Sequence, residues 1–106
     1  MDFSVKLIRF CELINRTSVS LILIRQIIRS GTSIGGNVHE AQDASSKKDF
    51  IQKMSIALRE AKETQHWLSV IIRSSLVNEA QCKDILQELN EITAILTSIV
   101  KKSKVV

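Results

Sequence analysis

Apolar side chains return at alternating spacings of three and four along almost the whole chain, and that one pattern decides what it can fold into. Ile51, Met54, Leu58, Ala61, Gln65, Leu68 and Ile72 form one such seam, with Gln65 its sole polar member and Phe50, Ala57 and Ile71 flanking it. Cys82, Ile85, Leu89, Ile92, Leu96 and Ile99 form a second. This spacing places side chains on one stripe of an α-helix, whereas a strand would need strict alternation. Upstream, Ile24, Ile27, Gly31, Ile34, Val38 and Ala41 share a stripe that reads through the three glycines, Gly31, Gly35 and Gly36. Glycine costs helix stability, but residues this small let another helix come close. Phe3, Leu7, Phe10 and Ile14 give a shorter seam at the start.

Proline is absent, so no residue forces a helix to end, and the boundaries must be read from capping residues. Thr17 or Ser18 can cap a second helix. Ser46 with Asp49, and Asn78 with Gln81, have the spacing at which a cap side chain and the amide three residues on satisfy each other. The expected helices therefore cover about residues 3–16, 19–44, 47–73 and 79–102. Short links between amphipathic helices favour antiparallel neighbours, so the chain is read as one all-α domain over residues 1–106, an up-down four-helix bundle. Hydrophobic residues make up 44% of the chain and aromatics only 4%, so the core must be aliphatic. Its expected members are Leu7, Phe10, Ile27, Ile34, Leu58, Leu68, Leu89 and Ile92, and Leu58→Ala should cost about 2–5 kcal/mol if that position is buried.

Catalytic and metal chemistry find no foothold in these residues. Cys11 and Cys82 are far apart, with no CxxC or Cys/His spacing, and read as packed thiols. Glu63 and His66 have the Glu-x-x-His spacing of a di-iron bundle, but the second copy and the further inward glutamates are missing. His39 to Asp43 resembles half of a zinc-protease motif with Asp in place of the second His. The Gly31 to Gly36 stretch lacks the GK[ST] ending of a phosphate loop, and no serine has a histidine base at a suggestive spacing. We expect no catalytic residue, metal or cofactor. The apolar run from Val19 is cut at Arg25, and Asp2 follows Met1 in place of a basic leader, so the expected location is the cytoplasm, with no membrane contact.

Binding is what remains. Fifteen Lys and Arg against eleven Asp and Glu give a net charge of +4, enough to permit nucleic-acid binding without demanding it. The candidate phosphate contacts are Arg25, Lys47, Lys48, Lys53, Lys101, Lys102 and Lys104. A polar row, Gln26, Arg29, Ser33, Asn37 and Glu40, runs along the second helix. Arg59, Glu60 and Glu63 on the third helix lie within reach of it if the two pack antiparallel, and Glu60 completes the expected network. Ile56, Glu63, Trp67 and Val70 lie off the third-helix seam and form a mixed strip suited to a subunit interface.

The order Gln26, Arg29, Thr32-Ser33-Ile34, Asn37, Glu40, then Ser46 to Ile51, Lys53, Glu60 to Glu63 and Trp67-Leu68 resembles the four helix bundle protein family, also called the S23 or 23S rRNA intervening-sequence protein family. The likeness is densest over residues 25–72, and in the outer helices it extends only to the pattern. It implies a left-handed antiparallel bundle, assembly into a homopentamer and no catalytic activity. Some members are encoded within intervening sequences of bacterial 23S rRNA genes. A relative serves as the accessory protein of diversity-generating retroelements, binding nucleic acid and a reverse transcriptase. The expected function is thus a non-catalytic bacterial homopentamer binding RNA or DNA through basic residues repeated around a ring. The alternative is a scaffold for a protein partner such as a reverse transcriptase.

Overall fold

The computed structural model describes residues 2–104, which contain four α-helices and no strand. Helix α1 is Phe3–Cys11, α2 Ser18–Gln42, α3 Lys47–Arg73 and α4 Glu79–Lys104. Helix α1 stops short of the expected residue 16. Glu12 caps it, and tight turns through Leu13 and Ile14 tuck Ile14 into the core as a loop residue.

Local chemistry sets the other ends. Thr17 begins α2 through a reciprocal pair: the Ser20 amide donates to Thr17 Oγ1 at 3.0 Å and the Thr17 amide to Ser20 Oγ at 2.8 Å. Ser46 Oγ accepts from the Asp49 amide at 3.1 Å, and Asn78 and Gln81 exchange bonds of 2.8 and 3.0 Å. Ser74 caps the end of α3, and Ser75 after it has a left-handed φ of 58°. There the Ser75 and Leu76 amides donate to the carbonyls of Ile72 and Ile71.

The helices touch in the cyclic order α1–α2–α3–α4, and α1 and α4 close the ring. Cross-helix pairs fix an antiparallel register: Gly31 meets Leu7 and Gly35 lies by Ser4, Ser30 meets Thr64, Lys53 meets Glu40, and Gln65 meets Asn90. Leu7, Ile27, Leu68, Ile71 and Leu89 are fully buried at the centre.

The expected α3 seam needs correcting. Its innermost line is Met54, Ala57, Ala61, Thr64, Leu68 and Ile71, while Leu58, Gln65 and Ile72 are only half-buried, as is Ile92 on α4. Ala57, Ala61 and Thr64 are small, as are Ser30 and Gly31 on α2, so these two helices approach closely along small residues. That approach turns α3 by one position and moves its bulkier side chains to the α4 flank. Thr64 Oγ1 donates within this contact, with Ser30 Oγ at 2.9 Å and the Glu60 carbonyl at 2.7 Å, and every buried side-chain N and O among the described residues has a partner.

Candidate functional site

Two surfaces collect the residues singled out by their chemistry. On the α2–α3 face, the Arg29 guanidinium bridges Glu60 at 3.5 Å and Glu63. Glu63 also accepts from Trp67 Nε1 at 3.3 Å, and the His66 ring meets Trp67 edge-on at 5.0 Å. Two carboxylates therefore hold one cation across two helices, and the indole is fixed by one of them. Glu40 pairs with Lys53 at 3.3 Å further along the same face.

The rest of the expected polar network does not cross between helices. Ser33 Oγ donates to the Arg29 carbonyl at 2.7 Å and Asn37 Nδ2 to the Ser33 carbonyl at 2.8 Å, both within α2. Gln26 is half-buried beside them. Arg59 is exposed and takes no part in the ion pairs of the cluster.

Ile56, Glu63, Trp67 and Val70 are all half-buried on this face. The structure adds two neighbours the seams did not single out. The pairings of Arg29 with Glu60 and Glu63, and of Glu40 with Lys53, carry the register on to place Ile22 beside Trp67 and Val70, with Val19 one turn beyond. Ile22 is 58% exposed and Val19 67%. A signal for them exists in the sequence. The run Val19-Ser-Leu-Ile-Leu-Ile24 is apolar on more sides than a single core stripe uses.

The second surface is one end of the bundle. Helices α3 and α4 have 27 and 26 residues and are antiparallel across a tight turn, so α4 finishes beside the start of α3. Exposed Lys47 and Lys48 thus share an end with Lys101, Lys102 and Lys104. Lys53 lies nearby but is paired with Glu40. Arg25 does not join them, since the α2–α3 register sets it opposite Leu68 in the other half of the molecule. Among the described residues, only Lys6, Arg29 and Lys53 of the Lys and Arg side chains form ion pairs with carboxylates.

Other groups are placed for packing. Cys11 and Cys82 are buried, and desolvation pushes the Cys11 thiol up to about 11 and raises that of Cys82. His39 and His66 are exposed, and the described residues contain no cluster of three potential metal ligands. No described helix is long and apolar enough to cross a membrane.

A crystal structure of a protein of unknown function from the S23 ribosomal protein family of Bacteroides thetaiotaomicron superposes with a TM-score of 0.86 at 39% sequence identity. The match covers 93% of this chain and 92% of that one. No curated protein matches. Neither the family description nor that structure indicates an enzyme. Residues 1–98 match the sequence model of one family, and the chain belongs to it: the 23S rRNA-intervening sequence proteins.

Proposed function

We propose that this protein is a non-catalytic homo-oligomer, a pentamer, that binds nucleic acid electrostatically through lysines and arginines repeated in each copy. The observation that carries the binding half is the gathering of Lys47, Lys48, Lys101, Lys102 and Lys104 at one end, none of them held by a carboxylate among the described residues. Unpaired surface cations on a rigid frame are what a phosphate backbone needs, and closed symmetry multiplies them. Family membership supports the reading to the extent that the family's description refers to an rRNA gene element.

Self-association is supported by the α2–α3 face. Val19, Ile22, Trp67 and Val70 form an apolar margin around the Arg29 ion pairs, a combination of anchor and polar contact common in subunit interfaces. The same face supports the second reading, a scaffold for another polypeptide, in which the lysines serve solubility alone.

Light scattering should give about five times the 11.9 kDa chain mass, and Trp67→Glu should lower it. A wild-type monomer across the micromolar range sinks the oligomer. Gel shifts with structured RNA and duplex DNA at two salt concentrations test the binding. Affinity should fall steeply with salt, whereas a protein partner seated on apolar surface would respond little.

A further inference from the structure

The third helix carries a second cationic surface that the sequence motifs do not assign. With Met54, Ala57, Ala61, Thr64 and Leu68 innermost, the opposite ridge of α3 is fixed: Lys48, Arg59, Lys62, His66 and Arg73, all exposed. Gln52, Ser55 and Ser69 fill the gaps, so the ridge advances by alternating steps of four and three from end to end and contains no acidic residue. Of the three acids of α3, Glu60 and Glu63 are tied to Arg29 of α2, and Asp49 accepts from the Ser45 amide just before the helix. Here the outer ridge itself holds no acid, Lys53 being the α3 cation that faces α2 and pairs with Glu40, and the ridge cations have no ion-pair partner among the described residues.

From Lys48 to Arg73 the ridge rises through 25 steps of about 1.5 Å, roughly 38 Å, close to one turn of a nucleic-acid duplex. Aromatic side chains are not available for stacking on unpaired bases: Phe3 and Phe10 are buried, and Phe50 and Trp67 are half-buried against the core. We infer that the outer ridge of α3, through Arg59, Lys62 and Arg73 and meeting the lysine cluster at the end of the bundle at Lys48, is a docking surface for the phosphate backbone of a nucleic-acid duplex. This rests on the nucleic-acid reading above and names the surface and the duplex form.

The test compares the wild type with Arg59→Ala/Lys62→Ala/Arg73→Ala, Lys101→Ala/Lys102→Ala/Lys104→Ala, and Arg59→Lys/Arg73→Lys. Each is titrated by fluorescence anisotropy against duplex RNA, duplex DNA and a single strand of roughly 20 nucleotides, at about 50 and 200 mM salt. Circular dichroism and light scattering confirm that fold and assembly are unchanged. The ridge triple variant should bind both duplexes at least about tenfold more weakly at the lower salt, with its log–log salt slope smaller by about 2.7, or 0.9 for each lost phosphate contact. The lysine-for-arginine variant should keep most of the affinity. Ridge variants that bind like the wild type, while the end variant loses affinity, overturn the ridge and leave nucleic-acid binding standing. A wild type that binds none of the three at low salt overturns both. Equal affinity for the single strand overturns the duplex assignment, and displacement by polyglutamate at equal charge would reassign the ridge to an acidic protein.

Discussion

Gly31→Ala and Gly36→Ala are the same chemical change in the same helix, six residues of sequence bracketing both, and the structure predicts opposite signs for them. A Cβ built at Gly31 collides with Leu7 Cδ2, with Thr64 Cγ2 at 3.6 Å, so the leucine methyl must retreat to ordinary contact. Leu7 is fully buried and is itself the centre of the nine-residue α1, which has too few turns to hold without packing. Overpacking of this kind costs about 1–3 kcal/mol, and replacing a helical glycine by alanine returns about 1 kcal/mol. The net for Gly31→Ala is a loss of about 1 kcal/mol. At Gly36 a Cβ meets nothing within 4 Å, so only the gain of about 1 kcal/mol remains. The two variants should differ by roughly 2 kcal/mol, or about 8–16 °C in Tm for a domain of this size.

The assay is thermal unfolding by circular dichroism at one fixed protein concentration, since self-association adds to apparent stability. A double-mutant cycle sharpens it. Leu7→Ala removes the obstructing methyl, so Gly31→Ala should become stabilising in that background although Leu7→Ala alone is costly. Equal upward shifts for the two glycine variants would refute the close approach of α1 to α2, as would a penalty at Gly31 that survives the loss of the Leu7 side chain.

Four further expectations follow from burial and bonding. Leu68→Ala should cost about 2–5 kcal/mol in denaturant unfolding and half-buried Leu58→Ala clearly less, so equal costs would contradict the rotated α3 seam. Thr64→Val removes the hydroxyl shared with Ser30 and should lose about 1 kcal/mol; no change in midpoint would show that the bond contributes nothing. Ser75→Gly relieves a left-handed φ and should raise stability by about 0.5–1 kcal/mol, whereas a lower Tm would count against the α3–α4 turn. For Cys11, the folded state holds the thiol protonated to about 11 while the unfolded thiol ionises near 9. The contribution is therefore intact below pH 9 and lost as pH rises from 9 to 11, and native protein at pH 8 should react with a thiol reagent far more slowly than urea-unfolded protein.

Element types and three of the helix starts were legible because they depend on neighbours in sequence. The Thr17, Ser46 and Asn78 caps act within three residues, and the apolar period of α2, α3 and α4 runs for many turns. What escaped depends on contacts between helices. The end of α1 at Cys11 is one case: Ile14 continues the helical spacing of Phe3, Leu7 and Phe10, yet it reaches the core from a turn. Ser75 is another, since no glycine marks the left-handed position that closes α3.

The phase of α3 shows the same limit with the largest functional consequence. Its apolar residues cover enough of the circumference that two lines, one through Leu58 and Ile72 and one through Ala57, Thr64 and Ile71, both satisfy a three-four alternation. Side-chain size favours the first in isolation. The small residues Ser30 and Gly31 on α2 select the second, because a helix can come close only where both surfaces are small. Once that phase is fixed, every polar position on α3 acquires a direction. Glu60 and Glu63 turn toward Arg29, whereas Arg59, expected beside them, stays exposed and falls in line with Lys62, His66 and Arg73. The acid-free ridge of this helix is thus invisible until its packing partner is known, and its place in solvent follows from two small residues on a different helix.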